Sequence, residues 1–204
     1  MEYGTVGTET RRVYWTDFFE LSFLYLLIAH LGWVFEKVGR YILYDSVADR
    51  GFLSMPFCPI YATCVIGAYI LFGTPKEVRI LGIRVRCPKF LSAAIYFVCC
   101  VLFASLVELL VGGVFFGAAG IRLWDYGERV MNLGGHICLS YSLLWGALMT
   151  LFMLIFWQGA RNIARRIPQK KLVGLCLSVY SLMLADFIFN MFYLYRTGSH
   201  FNLM

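Results

Sequence analysis

Residues 89–117 read KFLSAAIYFVCCVLFASLVELLVGGVFFG, an apolar stretch that carries a single carboxylate, Glu108. It is longer than the roughly 20 residues that a helix needs to cross a bilayer. We therefore expect a membrane-spanning helix that is tilted or extends beyond the membrane. A carboxylate at this depth has to be paired, hydrated or protonated. Glu108 is therefore a candidate proton carrier, cation ligand or general acid/base, or else the partner of an arginine in a neighbouring loop: Arg50, Arg122 or Arg129.

The composition of the whole chain agrees with a membrane protein. Hydrophobic residues make up 60% of the 204 residues, charged residues 15%, and the mean hydropathy is +0.71. Soluble chains are about half apolar and about a quarter charged. Four more apolar runs lie at 18–36, 55–73, 134–157 and 172–195. The sequence predicts an all-α integral membrane bundle of about five transmembrane helices, with a polar cytoplasmic tail at 1–17 and one transmembrane domain at 18–204.

The distribution of Lys and Arg predicts the orientation. Twelve of these 18 residues fall in the tail and in the linkers 74–89 and 158–171, and the other six lie on the opposite side. Cytoplasmic segments carry the excess of positive charge, so we expect the N-terminus inside and the C-terminus outside. The basic residues flank apolar segments, which favours membrane lipids as their partners and not nucleic acid.

Polar residues are concentrated in the stretch 121–145, IRLWDYGERVMNLGGHICLSYSLLW. With the predicted orientation, nearly all polar residues at membrane depth fall on the outer side. We therefore expect a polar cavity that opens outward and binds a small-molecule or ion substrate. Its predicted residues are Glu36, Arg50, Glu108, Trp124, Asp125, Tyr126, Asn132, His136, Asp186 and Asn190.

Several of these residues also have an ordinary structural interpretation. Trp124 and Tyr126 are typical of a membrane interface, and Asp125 is typical of a helix cap or a turn. His136 follows two glycines, and a histidine near a membrane surface is more often an ordinary hydrogen-bonded side chain. Asp186 and Asn190 share one helical face, where they either hydrogen-bond a neighbouring helix or line the cavity.

Other chemistry is not indicated. No histidine and carboxylate pair has a recognised metal-site spacing, there is no P-loop or dinucleotide fingerprint, and we expect neither metal nor cofactor. The seven cysteines contain no C-x-x-C motif. Whether Cys58 and Cys138 pair is left open by the sequence.

Four ordered motifs resemble a known family. Their residues are 32–33 (GW) with Glu36, 50–53 (RGFL) and 56–61 (PFCPIY), then 108–109 (EL) with Gly112, then 124–126 (WDY), and last 132–133 (NL), 135–139 (GHICL), Ser142 and 145–146 (WG). The chain is similar over residues 22–157 to bacterial multi-pass proteins identified as ABC-transporter permeases of the CmpB type. It departs from them at Ala62, where the family usually has Gly, and at His136, where it usually has Arg. The second departure removes a fixed cation and weakens any anion-binding role.

The resemblance implies a permease-like transporter in the bacterial inner membrane, with a separate ATPase or other membrane subunit as partner. Glu108 would be the central carboxylate, and the mouth of the cavity would be formed by Glu36, Arg50, Asp125, Asn132 and His136. One alternative is an intramembrane enzyme acting on a lipid at the outer leaflet, with Glu108 or Asp125 as base and His136 as acid. Another is a non-catalytic partner subunit. No residue is assigned as catalytic.

Overall fold

The computed structural model describes residues 6–44, 52–80 and 82–198, and within the first range it describes the side chains of 17–42. Helices dominate these ranges, which confirms the predicted all-α membrane fold. The helices are α1 (Val6–Tyr44), α2 (Pro59–Phe72), α3 (Lys89–Ala119), α4 (Leu139–Ile155), α5 (Trp157–Arg166) and α6 (Gln169–Thr197). The strands are β1 (Gly73–Thr74), β2 (Glu77–Ile80), β3 (Ile83–Arg84), β4 (Asn132–Leu133) and β5 (Ile137–Cys138).

Three helical segments in the described ranges are long and apolar enough to cross a membrane: Asp17–Ile42 within α1, α3 and α6. A fourth span is formed if α4 and α5, which meet at a 54° bend, are counted together. The predicted span at 55–73 contains only α2, whose 14 residues are about 21 Å long, less than a hydrocarbon core of about 30 Å. Each predicted run therefore contains a helix, and the five crossings stay a prediction.

Two prolines explain why α2 is short. Pro56 lies in a bent segment, and Pro59 is the first residue of α2, a position where its missing N–H costs nothing. The non-helical backbone before α2 is bonded to protein instead. Met55 N–H donates to Asp186 Oδ2 at 3.0 Å, and Cys58 N–H donates to the Ala29 carbonyl oxygen at 2.9 Å. Irregular backbone at membrane depth requires such partners.

The ends of α4 also differ from the predicted run at 134–157. Before α4, strands β4 and β5 pair antiparallel across a turn at Gly134 and Gly135, whose φ angles are +60° and +77°. After α4, the segment expected to be a plain basic linker forms α5. Trp157 and Ala164 of α5 are buried, which gives this helix an apolar face against the bundle.

The helices pack in a simple order. Helix α2 lies between α1 and α3, α4 packs against α3, and α6 packs against α1. Buried residues of α1 to α4, among them Leu24, Ala62, Tyr96 and Met149, form the main core. Two short sheets lie at the helix connections: β1, β2 and β3 pair antiparallel between α2 and α3, and β4 pairs with β5 before α4.

Candidate functional site

Glu108 is buried in the middle of α3, with 6% of its surface exposed. Its Oε1 atom accepts two hydrogen bonds, from the Tyr126 hydroxyl at 3.2 Å and from Trp145 Nε1 at 3.1 Å. Its Oε2 atom is buried without a hydrogen-bond partner among the described residues. A buried carboxylate oxygen that lacks a partner is unfavourable by about 1–3 kcal/mol or more, so it is the atom most ready to bind a proton or a cation.

The face of α3 that carries Glu108 packs against α4 and the turn before it. Ser105 donates to Ser142 at 2.7 Å, one turn from the bond between Trp145 and Glu108. At the other end of this face, a Cβ atom added to Gly112 would lie 2.9 Å from His136 Nδ1. Helical spacing predicts that Ser105, Glu108 and Gly112 share one face, and these contacts confirm it.

Aromatic rings surround the Glu108 carboxylate. Tyr61 of α2 meets Trp145 edge to face, with ring centroids 5.3 Å apart, and Phe35 of α1 contacts both rings. The other donor, Tyr126, stacks on Tyr141 at 4.7 Å. Four elements therefore supply the surroundings of one carboxylate: α1, α2, α4 and the α3–α4 loop, residues 120–138.

The α3–α4 loop is folded by its own polar residues. Asp125 accepts from the Gly127 N–H at 2.8 Å and pairs with Arg122 at 3.3 Å. Asn132 donates to the carbonyl oxygens of Gly127 and Arg129, and Trp124 Nε1 donates to the His136 carbonyl oxygen at 2.7 Å. Four predicted site residues, Trp124, Asp125, Asn132 and His136, therefore shape the loop that brings Tyr126 to Glu108.

The two loop arginines that were candidates to pair with Glu108 lie elsewhere. Arg122 bonds Asp125 and the Gly134 carbonyl oxygen, and it lies 4.9 Å from the centre of the Phe116 ring. Arg129 lies 5.8 Å from the centre of the Tyr141 ring. No ion pair involves Glu108 within the described ranges, and Arg50 lies outside them.

Tyr126 is held in its protonated form. Burial, followed by the charge of the neighbouring Glu108 carboxylate, raises the pKa of the Tyr126 hydroxyl above its usual value. The hydroxyl therefore remains a donor across the physiological pH range, and it can keep its bond to Glu108 as long as the loop stays in place.

The remaining predicted residues form two further groups. Glu36 Oε2 accepts a hydrogen bond from the Cys58 thiol at 3.7 Å. Cys58 lies three residues before Tyr61 in the chain. Asp186 and Asn190 bond each other at 3.0 Å, and Asn190 also donates to Ser54 at 3.1 Å. With the bond from Met55 to Asp186, this second group fastens the segment before α2 onto α6. Among the described residues, no hydrogen bond or ion pair joins either group to Glu108.

Sequence reasoning missed two neighbours of Glu108 and a second buried carboxylate. Trp145 and Tyr61 occur in the recognised motifs but were not assigned to the site. Glu20, 5% exposed in α1, binds Arg165 Nε at 3.2 Å and Arg161 at 3.5 Å, both from α5. The available signal was a carboxylate at the start of the apolar run 18–36, together with a basic linker that could reach it.

Within the described ranges no three His, Cys, Asp or Glu side chains group as metal ligands. The seven cysteines all lie within the described ranges and none of them forms a disulfide; Cys138 Sγ lies 3.4 Å from the Ser140 hydroxyl.

The fold and the site together define a helical membrane protein with a buried carboxylate beneath a structured loop. The sequence profile of one family, described as "Putative ABC-transporter type IV", matches residues 23–191. The chain belongs to this family, which is the CmpB-type family that its motifs resemble, and a general role in membrane transport follows. Searches of curated proteins and of solved structures find no match.

Proposed function

We propose that the protein moves a small solute or ion across the membrane, and that Glu108 binds this cargo or a coupled proton. The observation that carries the proposal is the buried Glu108 carboxylate, with Oε1 held by two donors and Oε2 without a described partner. Carboxylates inside a membrane bundle are costly and commonly belong to ion or proton pathways. Binding at Oε2 would neutralise the charge and remove this cost.

The α3–α4 loop is the natural cover of this site. It supplies Tyr126, and its internal bonds through Asp125 and Asn132 make it a unit that can move as one piece. Lifting the loop would break the bond from Tyr126 to Glu108 and would open the carboxylate to the outer side of the membrane. Transport requires two states with different affinity for the ligand, and this bond is present in only one of them.

The distribution of positive charge suggests the side of the membrane on which the Glu108 site would open. The predicted orientation, with the N-terminus in the cytoplasm and the C-terminus outside a bacterial inner membrane, would place the α3–α4 loop outside. Glu36, Arg50 and His136 would line the mouth, and Asp186 and Asn190 would support it through the segment before α2. Energy would come from a separate ATPase or other membrane subunit, or from the gradient of the bound ion.

Transport is tested with the purified protein in proteoliposomes. The vesicles receive a whole-cell metabolite extract, and mass spectrometry compares the lumen, the bath and the lipid fraction. We expect a compound of unchanged mass to change compartment, and Glu108→Gln to lower the initial rate at least about tenfold, the effect of losing roughly 1.4 kcal/mol of binding.

The matched control is Glu128→Gln, which removes an exposed carboxylate from the same loop. We expect its rate to stay within about twofold of wild type. A lipid or metabolite whose mass changes would establish the enzyme alternative instead. Equal rates for wild type and a folded Glu108→Gln variant would exclude Glu108 as the binding carboxylate. If Glu108→Gln does not fold, Glu108→Asp replaces it and keeps the charge while shortening the side chain.

A further inference from the structure

A second polar site lies between α2 and α3, away from the Glu108 site. The small sheet of β1, β2 and β3 joins these helices and leaves a cavity of about 330 Å³ beside the first turn of α3. This volume falls at the lower end of the range for small-molecule sites. The cavity is lined by Lys76, Glu77, Arg84, Val85, Arg86, Cys87 and Ser92.

The lining is cationic. Lys76, Arg84 and Arg86 line it together with one carboxylate, Glu77, so the formal net charge of the wall is +2. Glu77 is engaged by Arg84 at 3.0 Å and by Arg79 at 3.9 Å. Among the described residues no ion pair engages Lys76 or Arg86. Lys76 and Arg86 can therefore bind an anion without breaking an ion pair among the described residues.

The start of α3 adds to the positive potential. Pro88 precedes this 31-residue helix, and no side chain of the described residues caps its first turn. Cys87, just before Pro88, and Ser92, in the first turn, form part of the cavity wall. Ser92 is 3% exposed and donates to the Pro75 carbonyl oxygen at 2.7 Å, so it fastens the turn between β1 and β2 to α3. Free N–H groups and the helix dipole favour an anion at such a position.

Two exposed apolar side chains lie close in sequence to the residues that line the cavity. Phe90, at the start of α3, is 87% exposed, and Ile83 of β3 is 74% exposed. Apolar side chains next to a basic cavity, at the point where membrane helices begin, are suited to the boundary between headgroups and acyl chains. The phosphate of an anionic lipid would therefore reach the cavity from the bilayer, and a free phosphorylated solute would reach it from water.

We propose that this cavity binds a phosphate-type anion, held by Lys76, Arg84 and Arg86 at the start of α3. The shared chemistry is a phosphate group with at least one negative charge, for which Arg and Lys are the usual partners in proteins. The site is independent of Glu108, and nothing in the proposed transport step requires it.

Two arms of one experiment distinguish the sources of the phosphate. In the first arm the full chain is reconstituted with phosphatidylcholine and phosphatidylglycerol, extracted in an uncharged detergent, and its retained lipids are counted by native mass spectrometry. In the second arm inorganic phosphate is titrated calorimetrically into the protein in pure phosphatidylcholine nanodiscs. Each arm compares wild type with the double variant Lys76→Gln/Arg86→Gln and with the control Lys170→Gln/Lys171→Gln, which removes two exposed charges at the start of α6.

We expect the cavity variant to lose binding at least about tenfold, and the α6 control to keep it within about twofold, since tenfold corresponds to roughly 1.4 kcal/mol. Loss of phosphatidylglycerol alone would identify a lipid headgroup, and loss of inorganic phosphate alone would identify a free anion. Equal binding by wild type and the folded cavity variant in both arms would overturn the proposal. An equal loss in the α6 control would also overturn it, because binding would then depend on overall surface charge. Glu108→Gln should leave both arms unchanged.

Discussion

Trp145 donates to Glu108 across the packed faces of α3 and α4, with 3.1 Å between indole Nε1 and carboxylate Oε1. The residues are 37 positions apart in the chain, and their bond ties the central carboxylate to the helix opposite. Since Tyr126 binds the same oxygen, both donors orient Glu108 so that Oε2 is the atom left for another partner.

Trp145→Phe should destabilise the fold by about 1–3 kcal/mol, because it removes a donor to a buried carboxylate and keeps a ring in place. The measurement is the free energy of unfolding in mild detergent. In a double-mutant cycle, Trp145→Phe and Glu108→Met should show a coupling energy above about 0.5 kcal/mol. Trp157→Phe, which replaces a buried indole of α5, is the control. Its effect on the unfolding free energy should add to that of Glu108→Met without coupling. Additive effects for both pairs would contradict the bond.

Tyr126 should make stability depend on pH in the alkaline range. Its pKa is raised in the folded state by burial and by the Glu108 carboxylate, while the unfolded chain releases this proton at its ordinary value near 10. The stability that the protonated Tyr126 hydroxyl gives the folded state is therefore complete below the unfolded pKa. It is lost as the pH rises above that value, by up to about 1.4 kcal/mol for each pH unit. In Tyr126→Phe the unfolding free energy should fall less steeply with pH than in wild type. The measurement is the unfolding free energy between about pH 8 and 11.

The matched control for the pH experiment is Tyr195→Phe, whose side chain is 88% exposed. Its pH profile should follow wild type. If Tyr126→Phe also follows wild type, the Tyr126 hydroxyl is not buried against Glu108.

Gly135→Ala should disrupt the α3–α4 loop. Gly135 has a φ of +77°, and a Cβ atom there would overlap the Arg122 guanidinium and lie 2.7 Å from Asp125 Oδ1. Gly120 has a similar φ of +69°, and no atom of the described residues lies within 4 Å of a Cβ atom added there. It therefore separates the cost of the backbone conformation from the cost of the overlap. Gly120→Ala should cost about 1 kcal/mol from backbone conformation alone, and Gly135→Ala at least about 1 kcal/mol more. Equal thermal unfolding shifts for the two variants would show that the contacts with Arg122 and Asp125 are unimportant.

Glu20→Gln should loosen α5 from the bundle. Glu20 is buried and binds Arg165 and Arg161, so we expect a loss of about 1.5–3 kcal/mol in unfolding free energy. Glu77→Gln is the control, because its pairs with Arg84 and Arg79 are half exposed and should be worth less than about 1 kcal/mol. A smaller loss for Glu20→Gln than for Glu77→Gln would mean that the α5 arginines do not depend on Glu20.

Individual residues show how far the sequence could predict the site. Glu108 was found because an isolated carboxylate in an apolar run is visible without knowledge of any neighbour. Asp125 and Asn132 were expected to line a cavity, and the structure shows them bonded within the loop. Their short polar side chains suit both roles, and only the positions of Gly127, Arg129 and Gly135 decide between them.

The sequence by itself determined that this is an all-α membrane protein with a carboxylate at membrane depth, since hydrophobicity and its periodicity are local properties of the chain. Only the tertiary structure decided which groups meet that carboxylate, that α5 forms, and that Glu20 binds arginines about 145 residues away along the chain. Such pairings depend on how helices pack, and the free energy of one hydrogen bond or ion pair leaves no periodic trace in the sequence.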